Sequence, residues 1–133
     1  MTAPNGPRWT QDELRRIGDA EELQVSSRRA DGNLRPFVTI WGVRAGDEIY
    51  VRSAHGADNP WFRRAVAAGV GAIRAAGKER PVTFELVDPA RAEVHAAVDA
   101  AYHTKYDRYG PQIVNTVVGS HATTVTLRVT AHD

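Results

Sequence analysis

Residues 48–68 concentrate side chains that could hold a ligand. Their pattern predicts a strand, a polar loop and a short helix that begins at Pro60. Backbone amides and arginines suit an anionic group, and tryptophan suits a flat ring. The stretch therefore predicts a site for a phosphorylated, planar ligand. The loop offers Ser53, His55, Gly56 and Asn59, and the helix opens with Trp61, Phe62, Arg63 and Arg64.

Three arginines of this stretch could form an anion clamp. Arg52, Arg63 and Arg64 could bind a phosphate or a carboxylate, because a guanidinium group pairs with oxyanions in a bidentate manner. The start of the helix adds partial positive charge at the same place. The alternative is a solvated helix face whose arginines pair with nearby carboxylates.

Aromatic residues outside the loop extend this interpretation. Trp41 and Trp61 could stack on a ligand ring, or they could simply pack in the core. Tyr102 and Tyr106 are one helical turn apart, so both can face one pocket. A phenol can donate a proton, which makes both tyrosines catalytic candidates. An ordinary amphipathic helix end is the competing explanation.

The histidines suggest two kinds of site. His55 in the loop is the candidate general acid or base, and Asp58 could orient it. His95, Asp99 and His103 are spaced by four residues and share one helix face, which is a geometry that metal sites use. We expect that face to be exposed to solvent, and we expect no metal site.

Composition limits the possible functions. The chain has 133 residues, a size typical of one domain, and we expect a loose tail at residues 1–8 before a single domain at residues 9–133. Its net charge of +1 gives no general attraction to nucleic acid or to a membrane. The absence of cysteine excludes thiol nucleophiles, disulfides and iron–sulfur clusters. We expect a cytoplasmic protein whose partner is a small molecule.

The pattern of elements predicts the fold class. A capping box from Thr10 to Glu13 predicts a first helix. About six strands follow in antiparallel hairpins, and residues 37–43 read as a central strand because both faces are apolar. A short helix follows the third strand, and a long helix, capped by Asp88 and Pro89, precedes the last strand. We predict an α+β fold with a small antiparallel barrel.

This order of elements resembles the flavin- and deazaflavin-binding split-barrel proteins, and most closely their deazaflavin-dependent nitroreductase-like branch. The resemblance rests on Tyr50-Val51-Arg52-Ser53-Ala54 and on Asn59-Pro60-Trp61-Phe62. Residues 9–129 also resemble an uncharacterised bacterial family of small split-barrel proteins. The marks of that family are Arg29-Ala30-Asp31-Gly32, Thr39-Ile40-Trp41, Tyr50-Val51-Arg52-Ser53, Trp61-Phe62-Arg63, and Asp99-Ala100-Ala101-Tyr102 with Lys105-Tyr106.

The resemblance implies an antiparallel split β-barrel, a homodimer and a cofactor that is FMN or a deazaflavin. The cofactor's phosphate-bearing tail would lie on Ser53, Ala54, Gly56, Asn59 and Trp61, beside Arg52, Arg63 and Arg64. A small aromatic or quinone-like substrate would lie near Tyr102, Tyr106 and Tyr109, with Trp41 as a further contact. An early Gly/Arg/Lys-rich turn of that branch has Arg28, Arg29 and Gly32 as its nearest candidates here.

Arg63 and Arg64 replace an asparagine that usually follows the helix's aromatic pair in that branch. This departure leaves a second hypothesis open, namely a cofactor-free small-molecule-binding protein or a non-redox biosynthetic enzyme. In that case His55, Arg52 and Tyr102 would act on an acidic substrate by proton transfer.

Overall fold

The computed structural model describes residues 9–132, so the tail predicted at residues 1–8 lies outside the described residues. The helices are α1 (Gln11–Asp19), α2 (Pro60–Ala68), α3 (Ala92–Tyr106) and α4 (Pro111–Val114). The strands are β1 (Leu23–Ser27), β2 (Val38–Ile40), β3 (Gly42–Ala45), β4 (Glu48–Arg52), β5 (Val70–Ala75), β6 (Lys78–Leu86) and β7 (Thr126–Ala131). Short 3₁₀ helices span Asp107–Tyr109 and Ser120–Val125.

Within residues 9–132 the strands form one antiparallel sheet of seven strands in the order β2-β1-β5-β6-β7-β4-β3. Only Trp41 separates β2 from β3 in the chain, yet these strands lie at opposite edges of the sheet. The sheet therefore curls into a nearly closed barrel that is split between its first and last strands. This confirms the predicted α+β split barrel, with the short helix before β5 and the long helix before β7.

The prediction of one central strand at residues 37–43 is wrong. The run breaks at Trp41, and its two halves become the two edge strands, which is why the described part of the chain has seven strands and not six. Its apolar residues do not have a strand on each side: α3 packs on β3, and Val38 is exposed at the border of a cavity.

The core has two parts, on the two faces of the sheet. Ile49 and Val51 of β4 point into the barrel, where they join the larger buried cluster. Tyr50 points outward and packs with Tyr102 and Tyr106 of α3 in a second cluster. Because side chains alternate along a strand, Arg52 lies on the same face as Tyr50, toward α3.

The helix starts follow local hydrogen bonds. The capping box of α1 is confirmed: the Glu13 amide donates to Thr10 Oγ1 at 3.0 Å, and the Thr10 amide donates to Glu13 Oε1 at 2.9 Å. The predicted cap of α3 at Asp88 is wrong. The Asp88 carboxylate accepts from the Ala90 amide at 2.9 Å, which closes a separate turn, and α3 begins only at Ala92.

Candidate functional site

A cavity of about 360 Å³ lies beside the two tryptophans, and we call it the aromatic cavity. It is bordered by β2, by the loop after β4, by the start of α2 and by residues around α4. Of the site residues predicted from the sequence, Trp41, Arg52, Ala54, His55, Asn59 and Trp61 line it. The structure thus brings together six predicted residues from two separate chain segments.

The two tryptophans are held in different ways. Trp41 stacks on Tyr106 with ring centroids 4.0 Å apart and planes 8° apart, and it also contacts Tyr109 at 5.3 Å. Trp61 is only 9% exposed and meets Phe62 edge to face. Trp41 is therefore a braced wall of the cavity, whereas Trp61 belongs mainly to the core and has little free surface.

The two tyrosines predicted to be catalytic lie in the core and do not line the aromatic cavity. The Tyr106 hydroxyl donates to the Glu21 carbonyl at 2.7 Å, and the Tyr102 hydroxyl lies 3.4 Å from the Trp41 carbonyl. Burial raises the pKa of both phenols well above the ordinary value. In this arrangement Tyr102 and Tyr106 brace Trp41 and α3, and their hydroxyls are occupied.

The loop after β4 is folded by its own hydrogen bonds. Ser53 is buried, and its hydroxyl donates to the Gly56 carbonyl at 2.6 Å. The Gly56 amide donates back to the Ser53 carbonyl at 3.3 Å, and Gly56 adopts a positive φ of 84° that suits glycine. These two residues therefore shape the loop, while the exposed Ala54 and His55 border the cavity.

Arg52 does not offer its guanidinium group to an external anion. Its side chain is 0% exposed and forms an ion pair with Asp99 of α3. Arg52 Nε donates to Thr126 Oγ1 at 2.8 Å, and Nη1 donates to the Val117 carbonyl at 2.8 Å. The predicted clamp of three arginines is therefore wrong for Arg52, because partners far away in the sequence already satisfy its donors.

His95 completes this cluster and has a defined tautomer. Its Nδ1 atom lies 3.2 Å from Nη2 of Arg52. Arginine can only donate, so Nδ1 must accept, and Nε2 carries the proton that reaches the Asp88 carbonyl at 2.9 Å. We name His95, Arg52, Asp99 and Thr126 the Arg52 cluster.

The expectation of a solvent-exposed His95–Asp99–His103 face is wrong for His95 and holds only in part for Asp99. His95 is only 4% exposed, and the side chain of Asp99 is about a third exposed at 32%. Only His103 lies in solvent, where it contacts Asp107 at 2.7 Å. A polar helix face in a sequence suggests exposure to solvent. Here two residues of that face, His95 and Asp99, contact Arg52, which is a buried residue of β4.

A second feature on the other side of α2 collects arginines. This groove of about 750 Å³ is lined by Arg28, Arg29, Arg35, Arg63 and Arg64, and we call it the arginine groove. Within residues 9–132 none of these five forms an ion pair with a carboxylate. The chain's net charge is only +1, so this is a local concentration of positive charge.

A narrow crevice of about 20 Å³ lies between the two features. It shares Arg35 and Arg64 with the arginine groove, and Val38 and Trp61 with the aromatic cavity. The Nε atom of Arg35 is buried and has no hydrogen-bond partner among the described residues. The cavity, the crevice and the groove are therefore neighbours that share lining residues.

Local structure explains why distant arginines meet. Trp61 and Phe62 anchor α2 in the core, which leaves Arg63 and Arg64 on its exposed side. The loop after β1 is tied to the sheet, since the Arg28 amide donates to the Val70 carbonyl at 3.1 Å. Arg28 and Arg29 are the nearest candidates for the early basic turn noted in the sequence. The density of arginines around that turn was the only signal that could have pointed to Arg35.

A family described as "Uncharacterized protein conserved in bacteria (DUF2255)" matches residues 13–129. The chain belongs to this bacterial family. The match confirms the resemblance seen in the sequence. A search among curated proteins finds no match.

Solved structures establish the fold of this DUF2255 protein. The conserved hypothetical protein Rv2991 from Mycobacterium tuberculosis is 13% identical, with a TM-score of 0.63 over 100% of this chain and 87% of that chain. An F420 reductase is 13% identical, with a TM-score of 0.52 over 98% and 94% of the two chains. An FAD-binding protein from Mesorhizobium loti is 15% identical, with a TM-score of 0.55 over 94% and 91%. The protein therefore shares the split-barrel fold with proteins of the flavin and deazaflavin type.

Two further observations concern the described residues alone. No helix in residues 9–132 has the length and apolar character needed to cross a membrane. Within the same residues, no three or more side chains of the metal-ligating types converge.

Proposed function

We propose that this DUF2255 protein binds FMN or a deazaflavin and acts as an oxidoreductase on a small aromatic or quinone-like substrate. The observation that carries the proposal is the junction of the aromatic cavity with the arginine groove. A ligand with a planar ring and an anionic tail is the chemical class that needs two such regions side by side. The fold it shares with an F420 reductase and an FAD-binding protein supports the same class.

The residues present fit such a group. Arg35 lines the groove together with Arg64, and a phosphate there would accept hydrogen bonds from its guanidinium group. Arg64 lines both the crevice and the groove and would hold the same phosphate by bidentate hydrogen bonds. The ring would lie in the aromatic cavity against Trp41, whose opposite contact with Tyr106 keeps it in place.

When bound, a flavin or deazaflavin supplies hydride transfer, and the protein supplies position and electrostatics. His55 is exposed at the edge of the aromatic cavity, so its imidazole can give a proton to a reduced product or take one from a donor substrate. The Arg52 cluster holds the Val117 carbonyl and so fixes the wall near α4.

The rim of the aromatic cavity supports an apolar substrate. Val38 is 40% exposed and Ile113 is 50% exposed, and both line the cavity. Exposed aliphatic side chains at a cavity mouth favour a small aromatic compound over a sugar or a peptide. The homodimer implied by the resemblance stays a prediction.

The second hypothesis is a cofactor-free protein that binds an anionic small molecule. The size of the arginine groove favours it, because the groove is larger than the aromatic cavity and could hold a ligand alone. Of the residues that this hypothesis assigned to proton transfer, only His55 is accessible, since Arg52 and Tyr102 are buried.

Titration of the purified full chain with FMN and with F420, followed by quenching of tryptophan fluorescence, separates the hypotheses. We expect at least one of them to bind at micromolar concentration and to lose roughly tenfold in affinity in Arg64→Ser. Arg15→Ser is the matched control, because Arg15 is exposed on α1 and lines neither feature. The absence of binding by both compounds at micromolar concentration would overturn the proposed function.

A further inference from the structure

We propose that a second cavity, between α1 and the hairpin of β5 and β6, binds a small monocarboxylic acid with an apolar body. This cavity measures about 240 Å³, and we call it the α1 cleft. It shares no lining residue with the aromatic cavity or with the arginine groove. The inference therefore stands apart from the proposed function, and either one can fail without the other.

The register of the hairpin determines which side chains line the α1 cleft. Ala75 lies opposite Lys78 across the two strands. Ile73 lies opposite Arg80 in the same way. Opposite residues of antiparallel strands point to the same face, so these four side chains share one side of the hairpin. Ile17 of α1 lines the cleft from the other side. The single methyl group of Ala75 leaves the space between hairpin and helix open.

The floor of the α1 cleft is apolar and reaches the main core. Ile17, Ile73 and Ala75 are buried members of the larger core cluster. Trp9 also lines the cleft, and its Nε1 atom donates to the Val129 carbonyl at 2.9 Å, which fixes the indole ring. Sites for drug-sized ligands measure roughly 300–1,000 Å³, so a cleft of about 240 Å³ suits a smaller and mainly apolar molecule.

The rim of the α1 cleft carries three carboxylates, and each of them already has an arginine partner. The pairs are Glu13–Arg80 at 2.5 Å, Asp12–Arg16 at 2.7 Å and Glu79–Arg74 at 2.9 Å. A ligand with an amino group would have to displace one of these arginines from its carboxylate. The rim therefore does not favour a cationic ligand.

Lys78 is the cation on this rim that can take a ligand carboxylate. Arg16 and Arg80 are occupied by their ion pairs, whereas Lys78 forms no ion pair with any residue of the described range 9–132. Its side chain is exposed at the edge of the cleft. An apolar floor and one available ammonium group match a molecule that has an apolar body and one carboxylate.

The test is a titration of the full chain with hexanoate, followed by the indole N–H signals in ¹⁵N–¹H NMR spectra. We expect the signal of Trp9 to shift, while those of Trp41 and Trp61, which line the aromatic cavity, stay in place. Hexanoate should bind about threefold more tightly than 1-hexanol, because an exposed ion pair adds only a few-fold. Butanoate should bind roughly tenfold more weakly than hexanoate, because it buries two fewer methylene groups.

Two variants separate the charge from the apolar floor. Lys78→Met should lower the affinity for hexanoate to that for 1-hexanol and leave 1-hexanol binding unchanged. Arg63→Met is the matched control, because it removes an exposed cation outside the α1 cleft and should change neither affinity. Ala75→Leu should fill the cleft and weaken both compounds at least tenfold, with its unfolding midpoint as the check on the fold. If Ala75→Leu does not fold, Lys78→Met and the comparison with butanoate still decide.

Four results would overturn the inference. The first is no shift of the Trp9 signal with hexanoate, which is also the result expected if residues 1–8 of the same chain occupy the cleft. The second is equal affinity for hexanoate and 1-hexanol in the wild type. The third is tighter binding of hexylamine than of hexanoate. The fourth is unchanged binding of hexanoate in a folded Ala75→Leu variant, which would place the ligand elsewhere.

Discussion

Replacement of Asp99 by alanine should destabilise the protein far more than its partial exposure suggests. The substitution leaves the Arg52 guanidinium group 0% exposed and without its anionic partner. The remaining acceptors, Thr126 Oγ1, the Val117 carbonyl and His95 Nδ1, are all neutral in the hydrogen-bond arrangement of the Arg52 cluster. Loss of one partner of a buried ion pair costs about 3–5 kcal/mol, and the one-third exposure of Asp99 places our expectation near 3 kcal/mol.

The double variant Arg52→Met/Asp99→Ala tests whether the cost of Asp99→Ala comes from the unpaired charge of Arg52. Arg52→Met leaves the Val117 carbonyl and His95 Nδ1 without their donor, at about 1–3 kcal/mol for each buried acceptor. In Arg52→Met/Asp99→Ala no unpaired buried charge remains, and methionine keeps part of the volume. We therefore expect the double variant to be less destabilised than the sum of the single variants by about 2 kcal/mol.

Urea unfolding followed by far-UV circular dichroism measures these free energies, provided that the m-values stay unchanged. Glu79→Ala is the control, because it breaks an exposed ion pair, Arg74–Glu79 at 2.9 Å, and should cost less than about 1 kcal/mol. The account of the Arg52 cluster would be refuted if Asp99→Ala lowered the free energy of unfolding no more than Glu79→Ala does. It would also be refuted if the effects of the two single substitutions were strictly additive in the double variant.

Three other substitutions test separate parts of the structure. Burial lowers the pKa of Lys105 to about 8, against an ordinary value of 10.5, so the unfolded chain binds this proton more tightly. As the pH rises from 8 to 10, the urea midpoint of the wild type should therefore increase relative to that of Lys105→Met. A constant difference between the two midpoints would contradict this. Gly71→Ala should cost about 3 kcal/mol in thermal unfolding, because a Cβ atom there would lie 2.0 Å from the Ser26 carbonyl oxygen; a neutral effect would show that β1 and β5 can separate. Tyr106→Phe removes a hydroxyl that donates to the Glu21 carbonyl at 2.7 Å and should cost about 1–2 kcal/mol while cofactor binding stays within roughly twofold. Normal stability with lost turnover would instead support the catalytic role predicted from the sequence.

The site was partly predictable, and its successes and errors have a common pattern. The loop and the start of α2 were found from neighbouring residues, and Trp41, His55 and Trp61 do line one cavity. The surroundings of Arg52, Tyr102 and Tyr106 could not be predicted, because their partners are remote in the chain. Arg52 meets Asp99 across 47 residues, and no periodicity in either segment signals that contact.

The neighbours of the exposed arginines also could not be predicted from the sequence. Arg63 and Arg64 were predicted to join Arg52, yet they line a groove with Arg28, Arg29 and Arg35 instead. The reason is the orientation of α2. Its aromatic residues enter the core on one side, and helix geometry then places the two arginines on the side that faces the loop after β1.

The amino-acid sequence by itself determined the fold class, the family, the first helix and the loop that borders the cavity. These features depend on patterns within a few residues: a capping box, strand alternation, glycine turns and an Asn-Pro-Trp-Phe helix start. Only the tertiary structure decided that residues 37–43 split into two edge strands, that Arg52 is buried against α3, and that five arginines share one groove. Those outcomes depend on which faces of distant elements pack together, since packing decides whether a charge meets solvent, a counter-ion or an open groove.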